Sequence, residues 1–478
     1  MSRPRARLAL RAATGLAAPL ALAPLALAPL ALAPLAFATL AFATLATAAP
    51  TSDNHSNLWN FTAGIDGASA RGDLLVDSVG NLYGTTSTGG AFNNGGVFEA
   101  TTARPGAATL TPLYSFSGAT DGAVPSAGLI MDSQGALYGT ASLDGPGQFG
   151  TVFKLTPPTP GGVWTEATLF GFPGGAQGAT PVGSLVFDPA GALYGTTQWG
   201  GANNFGTIFK LTPPAGGTGA WTETILWNFT GGADGGNPVA GLVFDSTGAL
   251  YGTAKTGGAN NAGTVFQLSP GANNSWTQAT LWAFTGGADG ATPTGTLLQD
   301  GAGGFYGSAE YGGPINADCD QARYPYYGET NQASSYAANA AYITPGGNGC
   351  GVIFDLRPAA NGATPWTQTV IWTFDAGLDG ANPVAGLLAG PNGTLFTLST
   401  EYGNTFWGTE ILLTPPSSGT AWSATQLASF DGKGEGFYPH GTPVFGPLGL
   451  LYGTTTVGGK YWTHITNYGY GTIFYSTP

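Results

Sequence analysis

Basic residues, histidine and cysteine are scarce in this chain of 478 residues, and each shortage excludes a class of function. The 13 lysines and arginines face 26 aspartates and glutamates, which gives a formal net charge of −13. Four of the arginines and none of the acids lie within residues 1–48, so a chain without that segment would carry −17. Because such a surface repels phosphate groups, we expect neither nucleic acid nor an anionic membrane surface as a partner.

The histidines and cysteines give little support to metal or triad chemistry. His55, His440 and His464 show neither the spacing of a zinc site nor a Ser-His-Asp arrangement. Cys319 and Cys350 have no histidine near them in sequence, and two thiols alone make a poor metal site. In an exported chain such a pair predicts a disulfide. We predict no cofactor from these residues.

Long hydrophobic runs are missing after residue 50, which excludes a later membrane-spanning helix. Before it, four arginines precede an Ala- and Leu-rich stretch that ends at Ala46-Thr47-Ala48, the pattern of a secretory signal peptide. Proline at every fifth position breaks helix hydrogen bonding there, although retention as an N-terminal anchor is the alternative. We predict a signal peptide over 1–48, a short linker over 49–56 and one domain over 57–478. The protein would be secreted, periplasmic or bound at the cell surface.

Glycine and aromatic residues are abundant instead, with 80 Gly, 12 Trp, 19 Tyr and 26 Phe. This composition is typical of many short strands joined by tight turns. The stretch Asp245-Ser-Thr-Gly-Ala-Leu-Tyr-Gly-Thr253 recurs in seven variants. Their central aromatic residues are spaced by 55, 56, 57, 55, 90 and 56 positions, and self-similarity on this scale marks a solenoid or a propeller. These residues are Tyr83, Tyr138, Tyr194, Tyr251, Tyr306, Phe396 and Tyr452.

Each unit contains four strand-like segments and no segment with a helical period. The sequence therefore predicts an all-β fold, a seven-bladed β-propeller of four-stranded antiparallel blades. The pattern starts with a lone fourth strand and ends with a third strand that lacks its fourth. We expect residues 57–62 to pair with residues 471–476 and close the ring, which leaves no unpaired strand at the junction. A monomer is expected.

The units carry Gly-x-Leu-Tyr-Gly-Thr-Thr, Gly-Gly, Gly-Thr-Val-Phe and Asp-Gly-x-x-Pro in this order. In this they resemble the GloVer tandem repeat of "choice-of-anchor" bacterial proteins, over essentially all of residues 57–478. The resemblance implies an exported, propeller-like bacterial protein and brings no catalytic residues with it. Members of the family often end in a sorting signal. This chain ends at Ser476-Thr477-Pro478 without a hydrophobic tail, so surface anchoring is not expected from it.

A ring of acidic loops is the first candidate site. An acidic or amide residue followed by glycine lies 17 positions before each central aromatic residue. Together these carboxylates would form a negative mouth able to attract Ca²⁺ or a cationic ligand. The alternative, which we favour, is that each carboxylate accepts backbone N–H bonds within its own turn. The ring positions are Asp66, Asp121, Gln177, Asp234, Asp289, Asp379 and Glu435.

An insertion over residues 314–350 in the fifth repeat is the second candidate, and an extended loop in the last repeat is the third. Tyr324, Tyr326 and Tyr327 of the insertion and Trp462 of the loop are candidate contacts for a glycan or protein ligand. Long loops on a rigid scaffold are where binding is usually located. The alternative is that the insertion packs over neighbouring blades without binding anything.

A non-enzymatic, exported binding module is the function that this sequence favours, with its ligand on the face of the Asp-Gly loops and the insertion. A secreted hydrolase or lyase acting on polysaccharide is the first alternative, and a structural envelope protein is the second. An enzyme should show one or two blades whose loops carry clustered acids, histidine or arginine. No such cluster is visible along the sequence, which argues against catalysis.

Overall fold

A computed structural model describes most of the predicted domain. The described residues are 55–102, 108–159, 162–217, 219–313, 319, 349–359, 365–432, 434–461 and 469–478. The predicted signal peptide and nearly all of the insertion lie outside them, so their assignments stay predictions. No helical segment among the described residues is long and apolar enough to cross a bilayer.

Thirty β-strands make up the described part of the chain. The first half contains β1 (His55–Asn60), β2 (Leu75–Val76), β3 (Leu82–Thr86), β4 (Gly96–Ala100), β5 (Leu110–Ser115), β6 (Ile130–Met131), β7 (Leu137–Ala141), β8 (Thr151–Thr156), β9 (Thr165–Gly171), β10 (Val186–Phe187), β11 (Leu193–Thr197), β12 (Thr207–Thr212), β13 (Thr222–Asn228), β14 (Val243–Phe244) and β15 (Leu250–Ala254). The second half contains β16 (Thr264–Pro270), β17 (Trp276–Ala283), β18 (Ala291–Pro293), β19 (Leu298–Gln299), β20 (Phe305–Tyr311), β21 (Val352–Arg357), β22 (Thr367–Thr373), β23 (Leu388–Ala389), β24 (Leu395–Ser399), β25 (Thr409–Thr414), β26 (Ser423–Ser429), β27 (Phe437–Pro439), β28 (Val444–Phe445), β29 (Leu451–Val457) and β30 (Thr472–Ser476).

These strands form seven antiparallel sheets, which confirms the seven-bladed propeller. Six blades follow the chain order, beginning with β2-β3-β4-β5. The seventh is built from β28, β29 and β30 together with β1, and the short β27 pairs with β29. The seventh blade therefore takes its fourth strand, β1, from the N-terminal part of the domain. In the fifth blade β18 makes the same additional pairing with β20.

The first strand begins earlier than the sequence suggested. His55 pairs with Ser476, and Asn60 with Thr472, so β1 starts inside the segment predicted as a linker over 49–56. The physical reason is tertiary packing, because the His55 ring packs against the rings of Phe430 and Phe474 at 4.8 and 4.9 Å. A polar residue near the start of a domain is typical of a linker, but here it is buried.

The recurring Leu-Tyr-Gly-Thr strand has a packing explanation. A Cβ on Gly252 of β15 would lie 2.8 Å from the ring of Phe266 on β16 and 2.9 Å from Leu242. Glycine in the second strand therefore makes room for the buried phenylalanine of the third. The sixth blade supports this, because Thr397 stands where the glycine would be and the smaller Ile411 replaces the phenylalanine.

Aspartate turns join the first and second strands of five blades. In the fourth blade Asp245 Oδ1 accepts the N–H groups of Thr247 and Ala249 at 2.8 and 2.9 Å. The hydroxyl of Tyr251 donates to Asp245 Oδ2 at 3.1 Å. Burial raises the pKa of Asp245, but these bonds outweigh it and hold the pKa below its usual value. The last two blades use short 3-10 turns at Pro391–Gly393 and Pro447–Gly449 instead.

One backbone hydrogen bond crosses each of the seven junctions between blades. Its donor is always a residue with positive φ, two positions after the glycine of an Asp-Gly loop or its equivalent. Its acceptor is a carbonyl in the loop between the second and third strands of the preceding blade. The bonds are Ser69 to Tyr470, Val124 to Asn94, Thr180 to Phe149, Asn237 to Phe205, Thr292 to Ala262, Asn382 to Cys350 and Tyr438 to Trp407, at 2.7–3.3 Å.

The disulfide predicted from the sequence is confirmed. Cys319 and Cys350 are bonded, with their Cα atoms 5.1 Å apart. Both side chains are buried in the hydrophobic cluster between the fifth and sixth blades. Because Cys350 also accepts the junction bond from Asn382, the disulfide ties one end of the insertion to the frame of the ring.

Candidate functional site at the axial mouth

The predicted ring of acids consists mainly of turn caps. Asp234 Oδ1 accepts the hydroxyl of Thr230, and Oδ2 accepts the Thr230 backbone N–H at 3.0 Å and the Trp227 Nε1–H at 3.2 Å. The same contacts recur at Asp66 and Asp289, and at Asp121 a tyrosine takes the place of the tryptophan. Each carboxylate is thus occupied within its own loop. A calcium ion at this ring stays a prediction that these contacts do not favour.

Three members of the acidic ring, Asp379, Gln177 and Glu435, do not show this full set of contacts. Burial and the neighbouring Asp375 raise the pKa of Asp379 to about 7, although Trp372 still donates to it at 2.9 Å. Gln177 donates to Glu223 at 3.2 Å, and Glu435 Oε1 lies 3.8 Å from Nδ1 of His55. Among the described residues, no three His, Cys, Asp or Glu side chains are grouped as a metal site requires.

The four aromatic candidates of the sequence fall outside the described residues. They are Tyr324, Tyr326, Tyr327 and Trp462. His464 lies outside them as well, so the structure places none of these side chains relative to a site.

The innermost segments of the blades form a crowded axis. Gly128, Gly241 and Gly386 donate backbone N–H bonds to Ser184, Thr296 and Thr442 of the next blade, each at 3.1 Å. Because the ring has seven blades, glycine and hydroxyl residues cannot alternate around it without one exception. At that junction the N–H of Thr442 donates to Asp73 Oδ1 at 2.6 Å.

One end of this axis carries a charged cluster that the sequence analysis did not find. It lies where the chain enters each blade and where the second strand ends, on the face of the Asp-Gly and Gly-Gly loops. Short backbone bridges join the two kinds of loop on that face, as between Ala381 and Glu401. We call this cluster the axial mouth, and it consists of Arg71, Lys255, Glu310, Glu401, Tyr438 and His440.

Lys255 and Glu310 form the central ion pair of the mouth, with Nζ 3.8 Å from Oε2. The Lys255 side chain is 38% exposed, whereas that of Glu310 is only 6% exposed. Both residues stand four positions after the central aromatic residue of their blades. Serine, glutamine or threonine occupies this position in the other five blades. The pair therefore distinguishes two neighbouring blades from the rest of the ring.

A second carboxylate lies close to this pair. Burial raises the pKa of Glu401, and the charge of Glu310 raises it further. Burial and the charge of Glu401 together raise the pKa of Tyr438 to about 12, so this phenol stays protonated at neutral pH. The mouth therefore combines carboxylates that accept hydrogen bonds with a hydroxyl that donates them.

His440 shows that the cluster spans the axis. Burial lowers its pKa to about 3, and the positive charges of Arg71 and Lys255 lower it further. Lys255 belongs to the fourth blade, which lies opposite the junction of the seventh and first blades in a ring of seven. The charges of Lys255 and Arg71 can meet at His440 only across the axis. His440 is consequently a neutral imidazole with one donor and one acceptor.

The sequence contained a signal for this site, but only when the units are compared position by position. Residues one place after the proline of the Asp-Gly-x-x-Pro motif are Ser126, Val182, Val239, Thr294 and Val384 in five blades. In the first and last blades the same position holds Arg71 and His440. Each exception is minor alone, because the closed ring brings together residues that are far apart in sequence. Thr442 and Asp73, which are bonded beside the axis, are 369 residues apart.

Comparison with known proteins finds the repeat and leaves the chemistry open. The family model described as the Gloeobacter/Verrucomicrobia repeat matches residues 41–169 and 159–318. No functionally curated protein matches the chain. Among solved structures, a putative oxidoreductase (glucose dehydrogenase) from Thermus thermophilus is 13% identical. The match covers 88% of this chain and 98% of that one, with a TM-score of 0.40.

Two further solved structures are similar at the same level. A putative 6-phosphogluconolactonase from Bacteroides uniformis is 15% identical over 74% of this chain and 83% of its own, with a TM-score of 0.44. An aldose sugar dehydrogenase from Streptomyces coelicolor is 13% identical over 88% and 97%, with a TM-score of 0.37. At these values the likenesses carry no inference about activity.

Proposed function

The chain belongs to the Gloeobacter/Verrucomicrobia repeat family, and we propose that it is an exported, non-enzymatic binding module with its ligand at the axial mouth. The signal-peptide pattern and the buried disulfide support export. The rigid ring supports binding without large motion, because each blade is tied to the next by hydrogen bonds at the junctions and along the axis.

The observation that carries the proposal is where the ionisable residues lie. Charged residues make up only 8% of the chain, yet four of them converge with a histidine and a tyrosine at one end of the axis. The other blades hold small, neutral or apolar residues at nearly all of these positions. A stable ring does not need this substitution, because the unsubstituted blades fold with the same strands. Convergent polar groups of this kind are a usual mark of ligand recognition.

The insertion adds a second element to this proposal. It begins directly after Gly313, three residues beyond Glu310, and so starts at the rim of the mouth. We propose that Tyr324, Tyr326 and Tyr327, together with Trp462 of the seventh blade, supply aromatic contacts to the same ligand. Tyrosine and tryptophan offer a large apolar face at low entropic cost, which suits a sugar ring or a peptide side chain.

A secreted hydrolase or lyase acting on polysaccharide is the second candidate, and one observation favours it. Glu310 and Glu401 are two carboxylates within electrostatic reach, and the pKa of Glu401 is raised. Paired carboxylates with separated pKa values are what glycoside hydrolysis requires. The ion pair with Lys255 occupies Glu310, however, and so argues for binding.

A glycan array compares the proposals directly. Binding by the wild-type protein is set against a mouth variant, Lys255→Met with Glu310→Gln, which removes both charges at nearly constant side-chain volume. Lys154→Met is the matched control, because this lysine pairs with Asp132 at a turn between the first and second strands, away from the mouth. We expect the mouth variant to lose at least tenfold in affinity for the glycans that the wild type retains, and the control to lose nothing.

Two results would contradict this proposal. Equal retention of every glycan by the wild type and the mouth variant would remove the axial mouth as the site. Release of shortened glycan during the incubation, abolished by Glu401→Gln, would replace binding with hydrolysis or lysis. Melting temperatures of all variants establish that each protein is folded.

A further inference from the structure

Arg71 is a cation without an anion among the described residues. The other described basic side chains near carboxylates have partners: Lys154 with Asp132, Lys210 with Asp188, Lys255 with Glu310, and Arg357 with Asp300 and Asp355. The Nε–H of Arg71 is buried and finds no acceptor in the part of the chain that the structure describes. A buried donor of a charged group without an acceptor is unfavourable, because its hydration has been lost without replacement.

Two acids that could serve Arg71, Asp73 and Glu310, already have other partners. Asp73, two residues along the chain, accepts the backbone N–H of Thr442. Glu310 is held by Lys255 on the opposite side of the axis. His440 is a neutral imidazole and does not neutralise a guanidinium. Neither carboxylate pairs with Arg71, so among the described residues its charge is left free for a ligand.

A guanidinium selects among anions by shape. Its planar fork matches a carboxylate through two parallel N–H···O bonds, and burial strengthens such charge-assisted bonds. The rest of the mouth offers partners for hydroxyl groups, namely the carboxylates of Glu310 and Glu401 and the phenol of Tyr438. The ligand that matches these groups has one carboxylate and several hydroxyl groups, as an acidic sugar does.

The overall charge limits the length of that acidic ligand. Without residues 1–48 the chain carries −17, so its surface repels a polymer with a negative charge on every unit. A single acidic sugar at the end of a neutral chain meets the local positive charge of Arg71 without this penalty.

We infer that the axial mouth binds a carboxylate-bearing sugar, a terminal uronic acid residue, through the Arg71 guanidinium. This rests on the proposed binding function and specifies its ligand. The carboxylate bonds to Arg71, His440 lies beside it as a neutral donor, and the sugar hydroxyls bond to the carboxylates and phenol of the mouth.

Saturation-transfer NMR and titration calorimetry with small probes test this inference. The probes are D-glucuronate, its uncharged methyl ester, D-glucose and inorganic phosphate. We expect the wild type to bind glucuronate at least tenfold more tightly than the ester or glucose. Arg71→Gln should remove this preference, Arg71→Lys should retain part of it, and the control Lys154→Gln should leave it unchanged.

The outcomes separate this inference from the function on which it rests. If the ester and the acid bind equally, or if Arg71→Gln keeps the preference, the uronic acid assignment is wrong while a sugar site at the mouth stands. If phosphate binds as tightly as glucuronate, Arg71 holds anions without regard to the sugar, and the assignment fails. If no sugar binding depends on the mouth, both proposals fall together.

Discussion

A chain that begins at Thr62 is expected to lose about 5 kcal/mol or more of folding free energy relative to one that begins at Asp53. The shortened chain lacks β1, and with it the buried side chains of Leu58 and Phe61. Full burial of such residues stabilises by about 1.5–3 kcal/mol each, and the ladder between β1 and β30 is lost as well. β30 then becomes an edge strand with unpaired backbone groups. Urea denaturation followed by tryptophan fluorescence measures the difference.

The truncation has a direct control. A synthetic peptide spanning residues 54–62, added to the shortened chain, should restore the lost stability by pairing with β30. Such addition of a strand to an open edge uses the same backbone bonds as the intact blade. Equal stability of the two chains, or no effect of the peptide, would mean that β1 contributes little to the seventh blade.

His55→Leu is expected to destabilise the protein by about 3 kcal/mol at pH 7, although the new side chain is apolar. The reason lies in Glu410, which is fully buried and whose carboxylate oxygens have no hydrogen-bond partner of good geometry among the described residues. Burial raises the pKa of Glu410, while Ser476 and the charge of His55 act in the opposite direction. Removing His55 leaves this buried carboxyl without the neighbouring group that lowers its pKa. Leaving a buried carboxyl without compensation costs about 3–5 kcal/mol.

Adding Glu410→Ile should restore stability, and the other six blades of the same molecule provide the comparison. Glu410 lies two positions after the glycine that precedes the third strand, where every other blade has a buried valine or isoleucine. These residues are Val97, Val152, Ile208, Val265, Ile353 and Ile473. The double variant then has an aliphatic residue at this position of the third strand, as the other six blades do. Replacing a buried ion pair by packed apolar residues is often neutral or stabilising by about 1–4 kcal/mol.

The pH dependence distinguishes this account from simple loss of packing. Because the pKa of Glu410 is raised in the folded state, its neutral form stabilises the protein below the unfolded pKa of about 4.3. That stability is lost as the pH rises through the folded pKa. His55→Leu should therefore cost more at pH 7 than at about pH 4.5, and the double variant should show no such dependence. An equal cost at both pH values would contradict the role assigned to Glu410.

The fold was accessible from the sequence because its determinants repeat. Glycine beneath a phenylalanine, as at Gly252 and Phe266, is a local steric requirement that nearly every blade must meet. The aspartate turn before Tyr251 is likewise complete within seven residues. Requirements of this kind place the same residue types at the same positions of each repeat. The number of blades and their strands could therefore be counted along the chain.

The axial mouth was not accessible in the same way, because it consists of departures from the repeat. Lys255, Glu310 and His440 each replace an uncharged residue of the common pattern in one blade only. Their relation appears when the ring closes and sets the fourth blade opposite the seventh. His55 was missed for a related reason, since its partners come from β25, β30 and the loop before β27. The tyrosines of the insertion and Trp462 stay candidates from the sequence.

The central claim is that the ligand of this propeller binds at the axial mouth, and a crystal structure of the protein soaked with D-glucuronate tests it most directly. We expect the carboxylate of the sugar about 3 Å from the Arg71 guanidinium, with hydroxyl groups directed at Glu401 and Tyr438. The same soak with Arg71→Gln should show an empty mouth. Sugar density bound only by the insertion or by the loop containing Trp462, with the mouth empty in the wild type, would contradict the account.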